Sequence, residues 1–226
     1  MRNNKQCVWS SSYDRGLQYL LNMWPDVLKE VPDAKLIITY GWNLFDAIFE
    51  QGKPAYNPER LAWKEKINEA MKQPGITHLG RIGQQEMVKL LENSGLFTYP
   101  TNFDEISCIS AMKAQIYGAI PVTMSKAALK ETVLYGTKLF GDINDPKVFK
   151  TYVKDLIGWL KDDQRQEATR KIMMPQAKKA FSWRGVAESW DAEFKSPKVY
   201  SDQWGQEMFN NLPKELQKDE YKPYNL

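Results

Sequence analysis

Cys7-Val8-Trp9-Ser10-Ser11-Ser12-Tyr13-Asp14-Arg15-Gly16-Leu17 decides how the chain is read. Its first four residues form a short extended run. Behind them Leu17, Leu20, Leu21, Trp24, Leu28 and Val31 recur at helical spacing, so the segment reads as a strand followed by a helix. Pro25 falls inside the helical pattern and cannot donate a backbone hydrogen bond, so it is expected to kink the helix or to open a fresh first turn. The alternation then repeats. Lys35-Leu36-Ile37-Ile38-Thr39-Tyr40 is apolar and β-branched without a polar face, as in a strand covered on both sides, and Gly41 closes it.

Residues 43–57, with Gly52 and Pro54, read as an irregular excursion, and a charged helix follows near 59–72. Gly75-Ile76-Thr77-His78-Leu79-Gly80 is a strand and turn, and residues 84–92 form a helix with Met87, Leu90 and Leu91 inward. Residues 95–99 form a strand ended by Pro100. Ile106, Ile109, Met112 and Ile116 place one apolar face on a helix that stops at Gly118, a residue suited to a left-handed cap. Ile120-Pro121-Val122-Thr123 is the next strand. This alternation predicts a Rossmann-like α/β fold, a doubly wound parallel sheet of about six strands whose ligands bind outside the carboxyl ends.

Beyond Asp145 the pattern is helical, with Phe149, Val153, Leu156, Ile157 and Leu160 in one stripe and two more helices over 164–181 and 182–194. The expected organisation is a ligand-binding domain over 1–195 with a helical C-terminal extension, then an irregular arm over 196–226 carrying Trp204, Phe209, Tyr221 and Tyr224. The 31 Lys and Arg nearly balance 28 Asp and Glu, which gives no basic stripe for nucleic acid. No apolar run approaches the ~20 residues that span a bilayer. The polar N-terminus lacks a signal-peptide core, so the expectation is a cytoplasmic, reducing environment in which Cys7 and Cys108 are buried thiols.

One His and two distant Cys cannot assemble a zinc site, and no carboxylate cluster has calcium-loop spacing, so no metal is expected. His78 reads as a satisfied strand histidine. The first strand is followed by neither a Gly-x-Gly-x-x-Gly nor a Gly-Lys-Ser/Thr loop, which disfavours dinucleotide and P-loop readings. Ser11, Ser12 and Arg15 instead offer hydroxyls, a helix start and a cation to a diphosphate, or else Ser12 or Asp14 simply caps the helix. A second constellation is Tyr99-Pro100-Thr101-Asn102-Phe103-Asp104-Glu105-Ile106-Ser107-Cys108. There the amides of Ile106, Ser107 and Cys108 point back at a loop whose Glu105 can accept from a polyol. The alternative is that Asp104 and Glu105 only favour a helix dipole.

In order along the chain, Arg15-Gly16-Leu17, His78-Leu79-Gly80-Arg81-Ile82, Pro100-Thr101, Glu105 and Lys113-Ala114-Gln115-Ile116-Tyr117-Gly118-Ala119-Ile120-Pro121-Val122 resemble the donor-binding C-terminal half of retaining GT-B glycosyltransferases, group 1, family four. Glu131-Thr132-Val133 and Phe181-Ser182-Trp183 with Val186-Ala187 are similar to later landmarks, so the match covers about residues 7–194. The resemblance implies a nucleoside-diphosphate sugar as substrate, with no cofactor and no metal. It gives Arg15 to the diphosphate, Arg81-Ile82 to the base, Glu105 to the donor sugar and the amides of 106–108 to phosphate oxygens. Glu105 and Arg15 carry catalysis in this reading, with Ser11, Ser12, Thr101 and Lys113 among the binding residues.

Lys113 stands where the family has a second Glu for the ribose, and an ammonium donates but cannot accept. Ser10 lies near the family's Gly-Arg pair. The family's N-terminal acceptor domain has no counterpart in this sequence, so an acceptor-binding domain or subunit is an expected partner. Two readings stand: a glycosyltransferase donor domain that needs that partner, or, taking these three departures at face value, a degenerate module that has lost turnover and serves assembly or ligand sensing; a Lys113 facing the cleft beside Glu105 could pair with it and disable the sugar site. A nicotinamide-dependent oxidoreductase is disfavoured by Ser10-Ser11-Ser12.

Overall fold

A computed structural model describes residues 2–53 and 55–196, together with Asn210 and Lys214. Six parallel strands, β1 (Asn3–Trp9), β2 (Lys35–Thr39), β3 (Ile76–Gly80), β4 (Ser94–Tyr99), β5 (Ile120–Met124) and β6 (Thr137–Leu139), form one sheet in the order β3-β2-β1-β4-β5-β6. The helices are α1 (Leu17–Glu30), α2 (Asn43–Phe49), α3 (Pro58–Ala70), α4 (Gln84–Asn93), α5 (Ile109–Tyr117), α6 (Leu129–Thr132), α7 (Pro146–Lys161), α8 (Asp163–Phe181) and α9 (Trp183–Lys195). A 3-10 turn, Tyr13–Arg15, precedes α1. The chain separates into a unit Met1–Ser182, which holds the sheet, and a unit Trp183–Leu226, which holds α9. Apart from Ser196, Asn210 and Lys214, the arm over 196–226 and its aromatic residues lie outside the described residues.

The order runs outward in both directions from β1 and β4. Right-handed crossovers leaving those strands in opposite directions put their helices on opposite faces. Accordingly α1 packs with α3 and α7, while α5 packs with α4 and α8. β4 and β5 are buried along their whole length, and Trp9, Trp24, Phe97, Tyr99 and Tyr152 are the largest side chains removed from solvent. Among the described residues no helix is long and apolar enough to cross a membrane.

Several expectations are corrected. The sheet begins at Asn3 rather than Cys7, because the polar start of β1 pairs with Ser94 before a register shift. β6 carries no apolar run of its own and is read only from its pairing with β5. Residues 43–57 are not wholly irregular: α2 forms there, with Phe45 stacked against Trp42, Phe49 and Trp63 but no residue of the helix buried, which removes the usual periodic signal. α1 runs through Pro25 without a break. The Leu21 carbonyl, which Pro25 cannot serve, accepts instead from Gln73 Nε2 at 3.1 Å.

The helix expected to bury Ile106, Ile109, Met112 and Ile116 is the largest revision. α5 starts only at Ile109, and Ile106 and Ile109 are 97% and 60% exposed. The face it buries is Ala111, Ala114 and Gln115. Small side chains let α5 approach α8, and Gln115 is a fully buried clamp. Its Nε2 donates to the Ala111 and Thr132 carbonyls, and its Oε1 accepts from the Leu134 and Tyr135 amides. Gly118 ends the helix in the left-handed conformation, as expected.

Gly16 joins the 3-10 turn to α1 at φ +119°, and a Cβ there would meet the Pro100 carbonyl at 2.4 Å. Gly16→Ala is therefore expected to cost more than about 2 kcal/mol in urea unfolding. Gln115→Leu, which takes the side-chain partner from the Leu134 and Tyr135 amides and from the Thr132 carbonyl, is expected to cost about 2–4 kcal/mol in the same measurement.

Candidate functional site

Reversal of strand order between β1 and β4 leaves a crevice at their carboxyl ends, where ligands of open α/β sheets bind. Two loops border it: residues 10–16 after β1 and residues 100–108 after β4. They are tied to each other. Thr101 Oγ1 donates to the Arg15 carbonyl at 2.6 Å and accepts from the Phe103 amide at 2.9 Å, and Ser110 Oγ donates to the Ser10 carbonyl at 2.8 Å.

Arg15 and Glu105, ninety positions apart, meet at this point. Arg15 Nη1 donates to both Glu105 oxygens, at 3.0 and 3.1 Å, and the guanidinium lies over the Phe103 ring at 4.2 Å. Glu105, 7% exposed, also accepts from the Tyr99 hydroxyl, which bonds Ser11 Oγ in turn. Burial opposes the charge on Arg15, but the adjacent carboxylate outweighs it and holds the guanidinium above its ordinary value. Burial first, and then Glu105, push the Tyr99 phenol well above its usual range, so it stays a donor.

Around this pair lies a cleft of about 360 Å³ lined by Ser11, Arg15 and residues 103–110. The amides of Ile106, Ser107 and Cys108 precede α5 rather than belong to its first turn, because Cys108 caps the helix in a left-handed conformation, φ 51°. Among the described residues nothing accepts from these three amides, and their residues line the cleft.

A second, larger cleft of about 430 Å³ adjoins the first through Ile109 and Ser110 and extends over the ends of β2 and β3. Arg81, Ile82 and Lys113 line it, with Tyr40, whose backbone is at φ 122°, strained for any residue with a side chain. Lys113 Nζ donates to Gln84 Oε1 at 2.6 Å and makes no bond to Glu105.

Of the residues singled out in the sequence, Ser11, Arg15, Glu105, Ile106, Ser107 and Cys108 share the smaller cleft, and Arg81, Ile82 and Lys113 share the larger. Two stand elsewhere. Thr101 is buried and spends its hydroxyl on the two loops, while Ser12 bonds Asp14 Oδ1 and faces a small aromatic pocket with Trp42 and Trp63. Beside the smaller cleft, Lys126 pairs with Asp104 at 3.6 Å. Tyr99 and Phe103, the two aromatic rings that hold the ion pair, were missed. Neither the strand end nor the loop carries a period that fixes where its ring points. His78 is a satisfied strand histidine, its Nε2 2.6 Å from the Tyr13 hydroxyl, and burial lowers its pKa.

This fold is found in glycosyltransferases. The chain superposes on the GtfA/B complex with TM-score 0.65 at 16% identity, covering 86% of this chain and 36% of that one. It superposes on the pneumococcal O-GlcNAc transferase GtfA, solved with UDP and GlcNAc, with TM-score 0.63 at 14% identity, over 85% of this chain and 35% of that one. With the catalytic domain of cholesterol-α-glucosyltransferase from Helicobacter pylori the TM-score is 0.53 at 17% identity, covering 76% and 96%. The fold is thus that of the Rossmann-like domains of GT-B glycosyltransferases. The chain spans about a third of the length of the first two structures. No family model and no curated protein sequence matches it.

Both thiols are free and buried, and burial pushes Cys108 up to about 12 and Cys7 higher still. Neither is expected to react with a disulfide reagent near pH 8 in the folded protein, while both react in concentrated guanidinium chloride. Rapid titration of one thiol in the native state contradicts this packing of the loop after β4.

Proposed function

We propose that the chain is the donor-binding part of a glycosyltransferase, taking a nucleoside-diphosphate sugar for retaining, metal-independent transfer together with an acceptor-binding domain or subunit. The observation that carries the reading is the meeting of Arg15 and Glu105 at the switch point, beside three unpartnered amides.

The chemistry follows from donor counts. A guanidinium has five N–H groups, and both bonds to Glu105 leave from Nη1, so donors remain for a phosphate oxygen. The amides of Ile106, Ser107 and Cys108 supply further donors where leaving-group charge develops, which is how such a site stabilises a departing diphosphate. On Glu105, Oε1 already accepts from Arg15 and Tyr99, whereas Oε2 accepts from Arg15 alone and keeps a lone pair for a hexose hydroxyl. Beside Glu105, Lys113 would have disabled the sugar site; it lies on Gln84 instead, which leaves the enzyme reading intact.

Isothermal titration with UDP-, GDP- and ADP-sugars tests the proposal. One base series is expected to bind, Arg15→Ala to weaken it roughly 10- to 100-fold through loss of a charge-assisted contact, and Glu105→Ala to remove discrimination between the sugar donor and the bare diphosphate. Absence of heat from every donor overturns it.

A further inference from the structure

The larger cleft carries an electrostatic signature that a plain nucleoside does not call for. Resting on the donor-site reading, a diphosphate at Arg15 places its nucleoside here, because the two clefts meet at Ile109 and Ser110. Leu44, Ile82 and Met87 offer apolar surface for a base. The charged groups of the lining are Arg81 and Lys113, with no Asp or Glu among the lining residues.

Neither cation is neutralised. Lys113 is bonded to the uncharged Gln84, and among the described residues Arg81 has no ion-pair or hydrogen-bond partner. The first-turn carboxylate of α4, Glu86, accepts from the Gly83 amide and is not part of the lining. A ribose diol presents two O–H donors, and a carboxylate is the group that receives both. Lysine and arginine accept nothing, and the remaining acceptors of the lining are neutral: Gln84 Oε1, which already accepts from Lys113 and keeps one lone pair, and the oxygens of Ser10, Asn43 and Ser110. Two uncompensated cations in a concave wall raise the local potential and favour an anion in that space.

We propose that this cleft selects a nucleotide carrying a phosphate on its ribose, at the 2′ or 3′ position, with Lys113 and Arg81 as the specificity-determining pair. The phosphate replaces the diol as the recognised group and receives donors from both side chains.

The test is titration of the full chain with the 5′-monophosphates and the 2′,5′- and 3′,5′-bisphosphates of adenosine, guanosine and uridine. For the base that binds best, one bisphosphate is expected to bind about 10-fold more tightly than the monophosphate, an advantage that shrinks as salt rises. Lys113→Glu is expected to reverse the order, and Lys113→Gln to reduce the advantage part-way, with thermal melts confirming that both variants fold. Equal or weaker binding of the bisphosphates overturns the proposal, as does a Lys113→Glu variant that weakens both ligand types by the same factor. If sugar donors bind and bisphosphates gain nothing, this inference alone falls. If bisphosphates gain and no sugar donor binds, the sugar-transfer part of the donor reading falls, while the placement of a nucleotide in the larger cleft, on which this inference rests, stands. Silence from every nucleotide overturns both.

Discussion

Glu105 is a carboxylate taken almost entirely out of water, and its environment is built to keep it there. A buried, unpaired carboxylate is costly by several kcal/mol, so the partners must be in place whenever the fold is. Arg15 supplies the charge and two hydrogen bonds, Tyr99 a third, and Phe103 fixes the plane of the guanidinium. None of these groups is near Arg15 in sequence. They converge because β1 and β4 are neighbours at the centre of the sheet, and because Gly16 lets the first loop press against the Pro100 carbonyl of the other. The pair is therefore a product of topology, and losing the loop contact releases both residues together.

The same geometry divides the crevice by charge. On one side the cation is matched by an acid, and the remaining donors are backbone amides whose positions follow from the left-handed turn at Cys108. On the other side the cations are unmatched. The first arrangement suits a neutral polyol beside an anion, and the second suits an anion alone. One bound molecule can satisfy both only if its negative charge is distributed over two separated groups.

Legibility in the sequence followed the strength of local periodicity. β2, β4, β5 and α7 were read close to their true bounds because continuous burial or a helical stripe leaves a strong pattern. β6 and α2 were not, since a short edge strand and a helix with no buried residue write almost nothing into hydropathy. At α5 the pattern pointed the wrong way: Ile106 and Ile109 look like core and stand in solvent, while alanines and Gln115 take the interior. Gln115 is held inside by Thr132, Leu134 and Tyr135, and α8 packs against the same helix; partners this far downstream leave no mark in the hydropathy of α5 itself. Arg15 and Glu105 could be singled out by residue type and place, but their direct contact and its aromatic supports depend on strand order.

Pro25 and Gln73 are coupled through one such contact. A carbonyl left over by one residue is met by a side chain 52 positions away, so the two sites form a single unit whose members are not free to drift in either order. Proline can be exchanged first, because the helix regains its own bond and the glutamine still has the Ala70 carbonyl at 2.8 Å. Exchanging the glutamine first leaves the Leu21 carbonyl without this partner while the proline still withholds the helical one. The last turn before the proline thus depends on a residue in a loop outside the helix.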